Sequence, residues 1–377
     1  MLNLFINNQI IMKTNQLILA AALVVLAGCN KVNVETFDET NEIGFRAVAS
    51  MATKANDAIV SGTTYATENT FQVWGWQSEN GLFTDAVLVD NYASNFMSNL
   101  TISYCGGPQN RADAWRNSEH YYYWPFTGAI SFLAVHPSTV APTTTGWDAT
   151  NKKPKATFAD YTIVPGTNET VDLMLADNWG TRRADALPMV FKHALSQIVV
   201  IVKTNEDYTN DVKFDVNSVQ FNKIDLSGDL AYANTAFDWT DNAAQTQDWM
   251  YYNTIHENVN ATPAIYGAAK VMIPQNANPD DTATTDVIEG TTLTINYTMT
   301  QTGSAAITGT VVVPAPWNKV KEGSTDYDPA VAFPGWEPGK KYNYTLNFKL
   351  NEITFAPEVT DWVETIALAR CRLLRFL

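Results

Sequence analysis

Apolar and polar residues alternate with a period of two along much of this chain, as in strands that turn one face to a core and the other to water. Leu293, Ile295, Tyr297 and Met299 interleave with Thr292, Thr294, Asn296, Thr298 and Thr300. Tyr342, Tyr344, Leu346, Phe348 and Leu350 interleave with Asn343, Thr345, Asn347 and Lys349. Residues 71–76, 129–136, 212–216 and 219–224 predict further strands, and the unbroken apolar run 198–202 predicts one buried on both faces. Turn signals punctuate these runs, among them Gly106-Gly107-Pro108, Pro165-Gly166, Ser227-Gly228, Pro334-Gly335 and Pro338-Gly339. Long amphipathic helical patterns are missing, and residues 242–253 predict one or two helical turns at most. Many short strands between turns predict an all-β sandwich architecture.

Composition narrows the class. Aromatic residues make up 12% of the chain, and Thr, Asn and Val recur, which suits half-buried pleated surfaces better than helices. With 46% hydrophobic and 17% charged residues the chain is globular. The net charge of −15, with no cluster of Lys and Arg to offset it, excludes a nucleic-acid partner. A chain of 377 residues exceeds one comfortable core and predicts two domains. The polar, proline-containing segment 181–188 places the boundary near residue 187, giving sandwiches over 56–187 and 188–365. The acidic stretch 276–286 reads as an exposed loop. Cys29, Cys105 and Cys371 allow one bridge at most, so stability comes from cores.

The first residues carry an address. Met12 and Lys13 precede an apolar run of 11 residues from Leu17 to Ala27, about half of the ~20 a membrane-spanning helix needs. Residues 1–29 therefore read as a signal peptide, with Met12 a better start than Met1. Leu26-Ala27-Gly28-Cys29 resembles the bacterial lipobox, which implies an acylated Cys29 at the mature N-terminus and attachment to a membrane. An ordinary secretory leader, in which Cys29 has no role, is the alternative.

Motifs spread over residues 26–362 are similar in order to one family. After the lipobox come Ile43-Gly44-Phe45-Arg46, Ala52-Thr53-Lys54-Ala55, Phe71-Gln72-Val73-Trp74-Gly75-Trp76 and Tyr123-Trp124-Pro125. Asp172-Leu173-Met174-Leu175-Ala176, Val190-Phe191-Lys192-His193-Ala194, Met272-Ile273-Pro274-Gln275, Gly339-Lys340-Lys341-Tyr342 and Val359-Thr360-Asp361-Trp362 follow. As a set they resemble the fimbrillin-like lipoproteins of Bacteroides and related bacteria, the subunits and anchors of protease-processed (type V) pili. The resemblance implies two tandem transthyretin-like antiparallel β-sandwich domains and an outer-membrane lipoprotein at the cell surface. It also implies assembly with other fimbrial subunits by β-strand exchange, and adhesion to a host or bacterial surface ligand. In the family a trypsin-like protease cuts after an arginine in the leading segment, here residues 30–55. The candidates are Arg46, which lies in the alternation of Ile43, Phe45 and Ala47, and Lys54, which stands where relatives carry arginine. Both also read as solvated basic residues on a tether. An uncleaved chain would stay on its lipid as an anchor. Residues 366–377 depart from the family, as either a donor strand or the product of an altered reading frame.

Candidate chemistry is sparse. His120, His136, His193 and His256 are too far apart in sequence for metal-ligand spacing, and His193, just before a strand, reads as a hydrogen-bonding residue inside the fold. No glycine-flanked nucleophilic serine or phosphate-cradling loop is present, which predicts no enzyme, no metal and no cofactor. Residues 276–281 offer oxygens for calcium but lack the glycine and terminal glutamate of the known loops, so a solvated loop is expected. Asp281-Thr282-Ala283 resembles the short O-glycosylation sequence of these bacteria, which marks Thr282. Trp74, Trp76, Trp115, Trp147 and the run 121–124 support a rival function, a surface lipoprotein that binds glycans on exposed aromatic faces.

Overall fold

In the computed structural model of the chain, the described residues are 41–49, 65–78, 92–106, 115–208, 211–241, 246–275, 291–314, 335–350 and 353–361. Cys29, Lys54, Thr282, the 276–286 segment and the 366–377 tail lie outside them. Among the described residues there is no α-helix, and the fold is all-β, as expected. In chain order the strands begin with β1 (Phe45–Ala49), β2 (Phe71–Ser78), β3 (Tyr92–Tyr104), β4 (Trp115–Arg116) and β5 (Ala129–His136). There follow β6 (Thr144–Asp148), β7 (Lys153–Thr162), β8 (Met174–Gly180), β9 (Leu187–His193), β10 (Ser196–Thr204) and β11 (Val212–Asp225). Next are β12 (Ser227–Ala233), β13 (Ala236–Asp241), β14 (Thr246–Tyr252), β15 (His256–Val259), β16 (Ala264–Ile265) and β17 (Lys270–Met272). The last are β18 (Thr292–Gln301), β19 (Ile307–Pro314), β20 (Lys340–Phe348) and β21 (Ile353–Asp361).

The expected strands form where alternation or continuous apolarity predicts them; β5 is buried at every position, and the apolar run 198–202 of β10 is buried except at Ile201. Residues 212–216 and 219–224 join into the single strand β11, with a register shift between Val216 and Ser218. One expectation fails. Residues 246–252 form β14, not helical turns, because Trp249 and Tyr251 alternate inward and β14 pairs with β11 through Phe221↔Trp249.

In the first half β1-β4-β3-β2-β5-β8-β9 close into a barrel around Phe45, Phe71, Phe132, Phe191, Tyr65 and Trp115. In the second half β16-β10-β20-β21 and β14-β11-β18-β19 face each other across a core that includes Val200, Phe221, Ile295, Tyr344 and Phe348. The ring of Phe221 meets that of Tyr344 at 5.5 Å, and Phe214 meets Phe348 at 5.7 Å. A further sheet, β13-β12-β7-β6, takes two strands from each half. Its Phe158 and Leu230 share one core with Leu133 and Leu175 of the barrel strands and with Val200 of β10. The position expected for a boundary, residue 187, is the first residue of β9, which pairs with β8 and β1. That segment therefore belongs with the first half, and the described residues from Ile43 onward form one compact unit. The local polarity of 181–188 marks the turn before β9, because a polar turn looks the same inside a sheet as between domains.

Buried side-chain hydrogen bonds tie neighbouring elements together. Lys270 Nζ donates to Glu169 Oε1 at 2.5 Å under the faces of Trp249 and Tyr251, and Trp249 Nε1 donates to the other carboxylate oxygen at 3.1 Å. Gln275 accepts from Asp225 N at 2.8 Å and donates to Asp225 O at 2.9 Å, and so fixes the end of β11.

Candidate functional site: the leading strand

The alternation of Ile43, Phe45 and Ala47 with Gly44 and Arg46 places three apolar side chains in the barrel and one guanidinium outside it. Phe45 is 1% exposed and meets Phe132 edge-on at 5.0 Å and Phe71 at 6.2 Å. β1 runs parallel to β9 over five positions, from Phe45↔Leu187 to Ala49↔Phe191. On its other side Phe45 opposes Trp115 of β4. Leu187 N donates to Gly44 O at 2.8 Å, and Ile43 N donates to Tyr122 O at 2.7 Å. The first strand among the described residues therefore fills the slot between β4 and β9. Without it both neighbours present open edges over an uncovered core.

Arg46 lies in mid-strand. Its side chain is exposed, while its backbone sits in register with Pro188. A protease takes its substrate as an extended, unpaired segment, so the bond after Arg46 is protected while β1 is seated. Cleavage there would also split β1 and leave Ala47 to Ala49 behind, whereas cleavage after Lys54 would release β1 whole.

Beneath the end of β1 lies a buried polar cluster that the sequence did not announce. Tyr65 stacks on Phe191 at 5.1 Å, and its hydroxyl lies 2.5 Å from His136 Nδ1. Burial holds the pKa of His136 below the usual imidazole value, which favours the neutral ring. His193 pairs with Asp172 at 2.6 Å between Nδ1 and Oδ2, the internal hydrogen bond expected of it. Burial and the nearby Asp172 carboxylate push the Tyr65 phenol far above its usual range, so it stays a donor at physiological pH. No group of three or more potential metal ligands is present among the described residues.

The aromatic platform does not form as the glycan-binding alternative requires. Trp74, Trp76, Trp115 and Trp124 are buried and Trp147 is half-buried, so among the described residues these tryptophans offer no exposed row. Trp115 and Trp124 pack in the barrel core, while Trp74 and Trp76 pack in the core shared with the second half, where a large ring leaves water. Tyr121 alone of the named residues is strongly exposed, with the Arg116 guanidinium over its ring. Cys105 is a free, half-buried thiol, and Cys371 lies outside the described residues.

Comparison with known proteins agrees with this architecture. A fimbrillin-like family model matches residues 46–362. A fimbrial protein of Bacteroides vulgatus is similar in structure with a TM-score of 0.54 at 17% identity, covering 86% of this chain and all of that one. A cell adhesion protein of Bacteroides ovatus aligns with a TM-score of 0.49 at 14% identity, over 86% of this chain and 99% of the other. No curated protein matches the chain. The structural likeness shows the fold, and the family match, which spans most of the sequence, shows the kinship. The chain belongs to the fimbrillin-like family, a structural and adhesion family at the cell surface and not an enzymatic one.

Proposed function

We propose that this chain is a subunit or accessory protein, as anchor or tip, of a surface fimbrium. It is exported as a lipoprotein through Cys29 and joined to its neighbours by β-strand exchange after N-terminal proteolysis. The observation that carries this reading is β1: five residues at the start of the fold fill a slot between β4 and β9 and bury Phe45. The loss of β1 leaves main-chain donors and acceptors waiting for a replacement strand. An incoming strand from a second subunit offers the same bonds and an aromatic for the Phe45 site. Each subunit both accepts and donates, so the contact repeats head to tail and the assembly stays open. The useful cut follows Lys54, since it takes β1 away intact. A subunit that escapes the cut keeps its lipid and holds the filament to the outer membrane.

Intact mass and N-terminal sequence of the protein from its own cell envelope test this. A chain starting at Ala55 without lipid is the expected polymerising form, and an acylated Cys29 is the expected anchor form. A secreted monomer that keeps residues 30–54 and an unmodified Cys29 would overturn the proposal. Thr282 is proposed as an O-glycan acceptor, checked by the mass of the peptide that contains it.

A further inference from the structure

One end of the barrel leaves large rings in water. Among the described residues Phe126, 80% exposed, is the most exposed large apolar side chain, and Tyr121 follows at 63%. Each has an arginine Cζ 5.5 Å from its ring centroid, Arg182 over Phe126 and Arg116 over Tyr121. Between the two rings Trp124 is buried, and a Cβ at Gly180 would sit 2.9 Å from it, so the loop 121–126 rests on the end of β8. Trp179, one residue before Gly180 and on the other face of β8, is 38% exposed, and Arg183 follows Arg182 in the turn beyond. β8 reaches this end from Met174, which pairs with His193 just before the second half begins. The exposed rings and guanidiniums thus lie at the end of the barrel away from that junction.

Clustered rings in water mark a surface that something covers, and two observations say what. The first is where the chain enters the fold. Ile43 N donates to Tyr122 O at 2.7 Å, next to Tyr121. Only the 13 residues 30–42 join Ile43 to Cys29, and fully extended they span about 45 Å. A lipid on Cys29 therefore keeps the Tyr121 loop within that reach of the bilayer. The second is charge. The chain carries −15 overall, which an anionic surface repels, yet the segments 116–126 and 180–185 set three arginines against two carboxylates, Glu119 and Asp185. Exposed rings flanked by guanidiniums are the side chains that settle at a membrane interface, with the ring at headgroup depth and the guanidinium on phosphate.

We infer that in the retained, acylated form this end of the barrel lies on the membrane that holds the lipid. Tyr121, Phe126 and Trp179 sit among the headgroups, and Arg116, Arg182 and Arg183 bind lipid phosphates. This rests on the reading of Cys29 as the lipid carrier and adds to it a second contact with the same surface. The lipid alone would let the fold turn freely on its tether. Two attachments hold more firmly than one, and this one also sets orientation: it points the β9–β10 junction and the second half away from the bilayer, toward the next subunit. β1 stays seated in this form, so the contact does not depend on its release.

Vesicle co-sedimentation tests it on the chain from Asn30 onward, which lacks the lipid and so reports on this face alone. Phosphatidylcholine vesicles with about 30% phosphatidylglycerol are compared with pure phosphatidylcholine vesicles. The parent should bind the mixed vesicles about tenfold more tightly than the neutral ones, and the difference should shrink as salt is added. Tyr121→Ser with Phe126→Ser should weaken binding to both vesicles by about tenfold. Arg116→Gln with Arg182→Gln should bring binding to the mixed vesicles down to the neutral level. Equal thermal unfolding establishes that the substitutions leave the fold intact, and the salt dependence of the parent needs no variant. A parent that leaves both vesicles untouched, or variants that bind as the parent does, would overturn the inference. So would a parent that ignores vesicles but self-associates through Phe126, which would give the face to a second copy. The lipoprotein reading fails separately: an unmodified Cys29 in the mass of the envelope protein would refute it, whatever the vesicles do.

Discussion

Truncating Phe45 should expose how much the barrel depends on its first strand. The side chain is 1% exposed and wedged between Phe71 and Phe132, which are themselves fully buried on β2 and β5. Removing it from water contributes about 1.5–3 kcal/mol, and the cavity left by Phe45→Ala adds to the loss. The neighbouring rings belong to paired strands on both sides and have little freedom to close the gap, so the expected cost is about 3–5 kcal/mol. Arg46→Ala on the same strand, with its side chain exposed, should cost within about 0.5 kcal/mol. Urea titration of the chain from Asn30 measures both, followed by tryptophan fluorescence, to which the buried Trp115 and Trp124 of this barrel report. A complementary experiment starts the chain at Ala55 and adds back a synthetic peptide of residues 43–49. The native peptide should restore the barrel, and the same peptide with alanine for Phe45 should not. A loss below about 1 kcal/mol for Phe45→Ala, or equal rescue by the two peptides, would refute the view that β1 is the keystone of a strand-accepting groove.

Acid should weaken the fold through His136. Its folded pKa is lowered by burial, so as the pH falls through the usual value near 6.5 the unfolded chain binds the proton first. Stability is then full above that value and falls below it until the folded pKa is reached, by at most about 1.4 kcal/mol per pH unit, and His136→Gln should flatten the profile measured by thermal unfolding. Asp172 and His193 act on the same ring with opposite sign, and the Thr70 carbonyl lies 3.1 Å from its Nδ1. Breaking the buried pair with Lys270→Met should cost about 3–5 kcal/mol in urea unfolding because it strands Glu169, while the double change Lys270→Met with Glu169→Gln should recover part of that loss. Gly180→Ala should lower stability by about 1–3 kcal/mol by driving a methyl group into Trp124, with a matching change in near-ultraviolet circular dichroism.

The sequence by itself determined the strands, because burying alternate side chains is a local pattern with a period of two. β18 and β20 follow the alternation to within a residue or two, and β10 follows its continuous apolar run. The ordered motifs also identified the family. The sequence misjudged β14, where polar residues around Trp249 masked an alternation whose inward partner, Phe221, is distant in the chain. Three things were decided only by tertiary structure, each because it depends on partners far apart in sequence. One is the place of β9 with the first half, and the sharing of β6, β7, β12 and β13 in one sheet. Another is the burial of the tryptophans, since a strand pattern does not say which face another sheet will cover. The last is the setting of Arg46: its type and spacing were plain in the sequence, but its protection comes from β9, more than 140 residues along the chain.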